Sequence, residues 1–392
     1  MGPGRRAHGA RSRPRAGGVV AAVALVLTSA VACAGPDESF VERDGDRFVA
    51  GGEPYRFVGV NLYDAAASDV YSCNPAGRLT DVELAATFEQ LREKGAGVVR
   101  FWAFQSYTEG GRDFSGVDRV LRAAEDAGLR VMPVLEDGPG DCSTGEEDVP
   151  LDQVESDSWY TEGYREPLGT ARLSFRDYAA LVAERYADEP VVAAWTLVNE
   201  AETPRRTSED RSVLVSFAQD VGAVVHEAAP HHLVTLGTQG NGAPGGSGTD
   251  LREVYELPEM DFVEVHDWAF YGDDESAMPG GEAGRPPSVD DARCRRTDAP
   301  VGCAFAIAAE LGKPLVVGEV GITAQDERGR ERRARLLADK GRAALDAGAS
   351  GYLLWHWSRE DTDGYDIGPG DPALDVLGEL ARTAEEASDP SS

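Results

Sequence analysis

Eight short apolar runs, each bounded by turn residues, constrain this chain more than anything else in its sequence. They are Phe57–Leu62, Val98–Phe104, Arg130–Glu136, Val192–Glu200, Leu233–Thr238, Asp261–Trp268, Pro314–Ile322 and Gly351–Trp357. Runs this continuous suit strands covered on both faces. Between them lie amphipathic helical patterns. Thr80-Asp81-Val82-Glu83 is a capping-box start, followed by Leu84, Phe88 and Leu91 on one helical face. Val117, Val120, Leu121 and Ala124 form a second stripe, and Phe175, Tyr178, Leu181 and Val182 a third. Gly95, Gly128, Gly312 and Gly348 stand where helices stop ahead of strands. Strands alternating with crossover helices make a parallel sheet. The expectation is an α/β fold, a (β/α)8 TIM barrel, preceded by a β-hairpin over Phe40 to Arg56 that turns at Asp44-Gly45. An open doubly wound sheet has the same element pattern, but no G-x-G-x-x-G follows the first run. A barrel of this kind accommodates 392 residues with 42% hydrophobic content as one domain.

The ends read differently from the middle. Arg5, Arg6, Arg11, Arg13 and Arg15 precede an apolar stretch from Gly17 to Ala32, and Cys33 closes it. This is the pattern of a secretory signal, too short and wrongly flanked for a spanning helix. Ser29-Ala30-Val31-Ala32-Cys33 resembles a bacterial lipobox, whose cysteine is lipidated and becomes the new N-terminus. The alternative is an ordinary signal cut after Ala32. The expected division is 1–32 signal, 33–39 tether, 40–386 barrel and 387–392 disordered tail. No other run is apolar enough to span a membrane. Lipidation at Cys33 implies a membrane partner through an N-terminal lipid anchor, on the outer face of the cell. Apart from Cys33 the chain has Cys73, Cys142, Cys294 and Cys303. An even set in an exported protein suggests disulfides, with three pairings possible. Cys294–Cys303 is favoured as a local clip and Cys73–Cys142 as a bridge between loops. Their spacing does not suit zinc. The formal net charge is −31, and the signal segment takes positive charge with it when removed. Such a surface repels nucleic acid and favours a neutral or cationic substrate. A monomer is expected.

Two long loops, Asp137–Arg172 and Phe270–Asp298, follow the third and sixth runs. They leave the C-terminal strand ends, where barrel active sites are assembled. Two carboxylates stand out at the same end. Glu200 closes Trp195-Thr196-Leu197-Val198-Asn199-Glu200, and Glu319 follows Leu315-Val316-Val317-Gly318. A carboxylate after apolar strand residues is costly unless it reaches a polar site. Gly318 suggests an unusual backbone angle or close approach to a ligand. Taken singly, each glutamate could end a strand in a salt bridge. Taken together, on the fourth and seventh of eight strands, they match what hydrolysis of a glycoside with retention requires: two carboxyl groups about 5–5.5 Å apart.

Leu197-Val198-Asn199-Glu200 resembles the Asn-Glu signature of the clan A glycoside hydrolases. The fuller resemblance is to glycoside hydrolase family 5, in particular its β-mannanase-like members. It rests on Arg100 in Val99-Arg100-Phe101-Trp102, on Glu200 and Glu319, on His266 in Val265-His266-Asp267-Trp268, and on Trp355 in Leu353-Leu354-Trp355. It extends from about Phe40 to the last helix. The resemblance implies that Glu200 is the acid/base and Glu319 the nucleophile. It implies that Asn199 bonds a sugar 2-hydroxyl and that Arg100 holds the pKa of Glu319 down. The pKa of Glu200 is then expected to be raised, by burial and the neighbouring charge. His266 would orient the nucleophile side or bond substrate, and Trp355 would floor the subsite of the reacting sugar. Trp102, Trp268 and Tyr271 join the expected substrate-binding set, while Phe104, Trp159 and Trp357 are further ring platforms or core. The sequence departs from the family in two places. The family's His-x-Tyr on strand six reads His266-Asp267-Trp268, and Tyr271 is the nearest tyrosine that could substitute. Strand three ends in Leu135-Glu136-Asp137, where Glu136 could bind hydroxyls or rival the catalytic pair. Asp361 to Asp366 faintly resembles a calcium loop but lacks its terminal glutamate; a solvated loop is expected. The implied activity is cleavage of a β-linked polysaccharide or oligosaccharide, with β-1,4-mannan the best single substrate and endo action the main mode. A β-1,4-glucanase, an exo-β-glycosidase or an inactive carbohydrate-binding lipoprotein are the alternatives. No metal or organic cofactor is expected, since two carboxylates suffice.

Overall fold

The computed structural model describes residues 1–2, 39–75, 77–138, 142, 157–167, 171–240, 242–268, 287–359 and 363–386. Cys33, nearly all of the signal segment, the C-terminal tail and Tyr271 lie outside the described residues. Three short strands, β1 (Val41–Asp44), β2 (Arg47–Ala50) and β3 (Glu53–Tyr55), form an antiparallel sheet. The expected hairpin is thus a three-stranded meander. Its first turn falls on Gly45-Asp46, because Asp44 pairs with Arg47. Pro54 does not prevent the third strand, since β3 is an edge strand that needs few of its own N–H groups.

The eight expected strands are all present. They are β4 (Phe57–Asn61), β5 (Val98–Trp102), β6 (Arg130–Val134), β7 (Ala194–Thr196), β8 (Leu233–Thr235), β9 (Val263–Trp268), β10 (Leu315–Gly321) and β11 (Gly351–Leu354). All neighbours are parallel, in the order β8-β7-β6-β5-β4-β11-β10-β9. The two ends of that order, β8 and β9, meet to close the barrel. Their seam is made largely by side chains. Val234 N–H donates to Asp261 Oδ2 at 2.8 Å, Thr235 Oγ1 to the Phe262 carbonyl at 3.1 Å and Thr238 Oγ1 to the Glu264 carbonyl at 2.6 Å. The backbone adds Asp261 N–H to the Val234 carbonyl, and His266 N–H to that of Gln239.

All eight strands are shorter than the apolar runs that announced them, in most cases at the C-terminal end. The helices are α1 (Asp81–Glu93), α2 (Ser115–Ala127), α3 (Phe175–Arg185), α4 (Val213–Ala228), α5 (Gly248–Tyr255), α6 (Gly302–Leu311), α7 (Glu327–Asp346) and α8 (Ala373–Glu386). The capping box of α1 is present in both directions, between Thr80 and Glu83. Gly128 and Gly312 end α2 and α6 in the left-handed region, where a side chain would be strained. Near the N-terminal strand ends an apolar layer closes the barrel, with Phe57, Val98, Met132, Leu233, Phe262, Val316 and Leu353 packed together with Val41 and Phe48 of the meander. Disulfides join Cys73 to Cys142 and Cys294 to Cys303. Among the described residues, no helix is long and apolar enough to cross a membrane.

Candidate active site

Polar side chains replace apolar ones toward the other end of the barrel. Asn61 on β4, Arg100 on β5, Thr196 on β7 and Glu264 on β9 are all fully buried. They surround Arg100. Its NH1 donates to Glu319 Oε1 at 2.7 Å and to Asn61 Oδ1 at 3.0 Å, and its NH2 donates to Asn199 Oδ1 at 2.9 Å. Its Nε lies 3.0 Å from Glu264 Oε1, but neither atom makes a hydrogen bond, so this contact is an ion pair only. Asn61 in turn donates to the carbonyls of Gly318 and Leu354. The expected Arg100–Glu319 contact is therefore present, within a larger buried network.

Glu319 reaches this network through a register shift in β10. Val317 pairs with Val265 and Glu319 with His266, leaving Gly318 as the extra residue. A bulge of this kind re-aims the side chain beside it. Gly318 was expected to approach a ligand or adopt an unusual angle. Instead it faces Glu264: a Cβ there would lie 2.4 Å from Glu264 Oε1. Glu200 is held differently. The strand ends at Thr196, and the chain runs on through bends at 197–198 and a bridge of Asn199 to Asp137, tied by Leu197 N–H to the Thr235 carbonyl and Asn199 N–H to the Glu136 carbonyl. Glu200 itself has a φ of 51°, in the left-handed region that non-glycine residues rarely occupy. Its side chain is 16% exposed, against 2% for Glu319.

His266 stands between the two acids. Its Nδ1 is 2.7 Å from Glu200 Oε1 and 3.4 Å from Glu319 Oε2. One oxygen from each glutamate and the ring nitrogen all fall within 4.8 Å of one another. Burial opposes the charge on His266, but Glu319, Glu200 and Glu264 outweigh it and raise its pKa to about 9. Burial is also the largest influence on Glu319, which it lifts to about 7 against the pull of His266 and Arg100. The sequence had suggested the reverse, a nucleophile held low by Arg100. In this substrate-free site the arginine is too evenly shared among Glu319, Glu264 and Asn199 to outweigh complete desolvation.

The aromatic expectations divide. Trp355 is partly exposed and has Tyr63 stacked beside it at 5.5 Å. The peptide bond between Trp355 and His356 is cis. Trp268 packs edge-on to Trp355 and donates from Nε1 to Glu200 Oε1 at 3.3 Å. The residue at the strand-six tyrosine position thus serves Glu200 rather than Glu319. Trp102 is only 3% exposed; it stacks on Phe104 and carries the Arg100 guanidinium 4.9 Å from its ring centre. It supports the site from below instead of presenting a face to substrate. Trp159 is core, packed with Tyr160, Tyr164, Phe175 and Phe217. Phe104 and Trp357 are likewise buried. Glu136 is buried, accepts the Asp137 N–H and stands apart from the Glu200–His266–Glu319 trio. Asn199 places Oδ1 on Arg100 and Nδ2 3.4 Å from Asp137 Oδ1. In the loop after β11, His356 Nε2 lies 3.7 Å from Asp363 Oδ2 and from Asp366 Oδ1.

Sequence reading missed Asn61, Tyr63, Thr196 and Glu264. Glu264 left a usable signal: an acid inside Phe262-Val263-Glu264-Val265, where burial without a partner is prohibitive.

A sequence profile described as glycoside hydrolase family 5, β-mannosidase-like, matches residues 172–342. A mannan endo-1,4-β-mannosidase A from Podospora anserina is 24% identical over 353 residues, covering 82% of this chain and 83% of its own. The chain is thus similar to glycoside hydrolase family 5 in sequence. Solved structures share the fold. An endo-1,4-β-mannanase from Rhizomucor miehei superposes with a TM-score of 0.63 at 17% identity, covering 88% of this chain and 100% of its own. An exo-β-1,4-mannosidase from Opitutaceae bacterium strain TAV5 superposes with a TM-score of 0.58 at 17% identity, covering 90% and 63%.

Proposed function

We propose that this protein is a retaining endo-β-1,4-mannanase of glycoside hydrolase family 5, with Glu319 as nucleophile and Glu200 as acid/base. The observation that carries the reading is the pair of carboxylates from β10 and the end of the β7 segment, one oxygen of each within 4.8 Å of the other. That spacing suits a double displacement and leaves no room for the water an inverting reaction needs between its acids. Ionised Glu319 attacks the anomeric carbon while Glu200 gives its proton to the departing glycosidic oxygen, forming a glycosyl–enzyme ester. Glu200, now a carboxylate, takes a proton from water. The water oxygen attacks the same carbon, the ester bond breaks, and Glu319 is released ionised. Arg100 balances the nucleophile's charge, and His266 and Trp268 orient Glu200. Trp355 floors the sugar subsite, supported by Tyr63. Asn199 bonds the 2-hydroxyl, whose contact strengthens as the transition state forms. Mannan is the substrate class because relatives that cover most of this chain carry that name. The N-terminal segment directs export, and lipidation of Cys33 tethers the mature monomer to the outer face of the membrane.

Digestion of mannan, glucomannan, cellulose, laminarin and xylan with product sizing tests the reading. Manno-oligosaccharides of mixed length early in digestion are expected. Mannose alone from the start would mean exo action, and preference for cellulose a glucanase. Glu319→Ala abolishes turnover, and azide restores it with inverted product. Glu200→Ala spares substrates with good leaving groups far more than mannan; equal losses on both would break the acid/base assignment. Cys33→Ala shifts the protein out of the membrane fraction, and unchanged fractionation would reject the anchor.

A further inference from the structure

Glu264 has no part in the reaction just described, yet it lies fully buried beside it. Its Oε2 accepts the Thr196 hydroxyl at 2.8 Å, and its own backbone carbonyl accepts from Thr238 and Tyr255. Its Oε1 has no hydrogen-bond partner among the described residues. That oxygen faces two cations: Arg100 Nε at 3.0 Å and His266 Nε2 at 3.8 Å. His266 Nε2 also lacks a hydrogen bond. The room for this carboxylate comes from Gly318, where any Cβ would collide with it. A buried charge is tolerated only when opposite charge meets it. Here one carboxylate meets both cations that touch the reacting pair.

We propose that Glu264 is a positioning residue for the glycosidase reaction, acting through Arg100 and His266. Its charge holds the Arg100 guanidinium where NH1 reaches Glu319, and it keeps His266 doubly protonated so that Nδ1–H sits between Glu200 and Glu319. This rests on the assignment of Glu200 and Glu319 made above. The groups facing it are Arg100 from β5, Thr196 from β7, His266 from β9 and Glu319 from β10. Arg100, His266 and Thr196 together overcome its burial and hold its pKa below the ordinary value, so it remains an anion. With it ionised, two carboxylates, Glu264 and Glu319, face the two cations Arg100 and His266. Removing Glu264 leaves an excess positive charge, so His266 releases its proton at a lower pH.

The test is an NMR titration of the His266 ring in the exported protein, with His266→Asn assigning the signal among the five histidines that follow the signal segment, His226, His231, His232, His266 and His356. Glu264→Gln keeps the shape and removes the charge. The His266 midpoint is expected to fall by about one pH unit or more. The acid limb of kcat/KM is expected to move to lower pH as Glu319 loses a neighbouring like charge, and kcat to fall about tenfold. A purely structural Glu264 would lower the unfolding temperature and leave both titrations in place, and that result overturns the proposal. Thr196→Val is nearly isosteric and removes only the hydroxyl donor. A smaller fall in the same direction is expected, and it decides the matter if Glu264→Gln does not fold; an unmoved His266 in it is again fatal. The ring titration needs no substrate, so absence of mannan hydrolysis would refute the enzymatic reading without touching this result.

Discussion

The two ends of this barrel are built on opposite terms. Near the N-terminal strand ends, Phe48 meets Phe262 edge-on at 5.3 Å, packed with Val41, Phe57, Val98, Met132, Leu233, Val316 and Leu353. Near the C-terminal ends, Arg100, Glu264, His266 and Glu319 are as deeply buried as those rings, but charged. Burial stabilises the first set and burdens the second, because desolvation favours a phenyl ring and penalises an ion. One end holds the strands together. The other uses that rigidity to keep charges in a place they would not choose.

If this division is right, mutations at the two ends should separate activity from stability. The largest effect is expected at the charged end. Glu319→Ala should lower kcat by about 10⁴-fold or more, while the unfolding temperature stays level or rises. Activity assays and calorimetry on the same sample check this; a large fall in unfolding temperature would blur the division. Next comes the apolar end. Phe262→Ala should cost about 3–5 kcal/mol of stability by leaving a cavity, with kcat/KM unchanged well below the melting point. Denaturant titration beside steady-state kinetics measures both.

A smaller effect comes from pH. Catalysis needs Glu319 ionised, and its pKa is raised to about 7, so kcat/KM should drop as pH falls through that value. The same shift has a consequence for stability. Glu319 binds its proton more tightly folded than unfolded. Its contribution is therefore full below roughly 4.3, its unfolded value, and is lost as pH rises through the folded one. His266, raised to about 9, acts in the same direction: its contribution is complete below roughly 6.5 and disappears as pH rises through its folded value. Unfolding temperatures across this range should decline for the parent and flatten in the Glu319→Ala and His266→Asn variants. The smallest effect belongs to neither end. Val82 is 80% exposed in the first turn of α1, and Val82→Lys should change stability by no more than about 0.5 kcal/mol.

The apolar end and the strand order were legible because hydrophobic runs and their helical spacers are local patterns. Glu200 and Glu319 were legible because each ends or interrupts such a run with a group that burial would otherwise reject, whereas Arg100 and His266 were legible only through the family resemblance. The role of Trp102 was not legible. Nothing in Val99-Arg100-Phe101-Trp102 says whether a ring faces solvent or lies beneath a guanidinium. The third strand of the meander is hidden in the sequence because Glu53-Pro54-Tyr55 is too short and too polar to announce it. The direction of the Glu319 shift was misjudged for a different reason. A pairwise contact with Arg100 can be expected from sequence, but the cost of complete desolvation appears only when every neighbour is in place. Glu264 lies inside its apolar run and not at the end, so its sequence shows a buried acid but not the cations that meet it.

The seam between β8 and β9 has a consequence of its own. Every other neighbouring pair in the barrel is joined by a ladder of main-chain bonds, whereas here threonine hydroxyls and the Asp261 carboxylate do much of that work. Side-chain clasps release one at a time; ladders tend to go together. Amide protons along this line should therefore exchange with deuterium sooner than those of β5 and β6. A small excursion here would spread the wall that carries His266 away from the stretch leading to Thr238, giving the tunnel of strands a lengthwise slit through which it can breathe without unfolding.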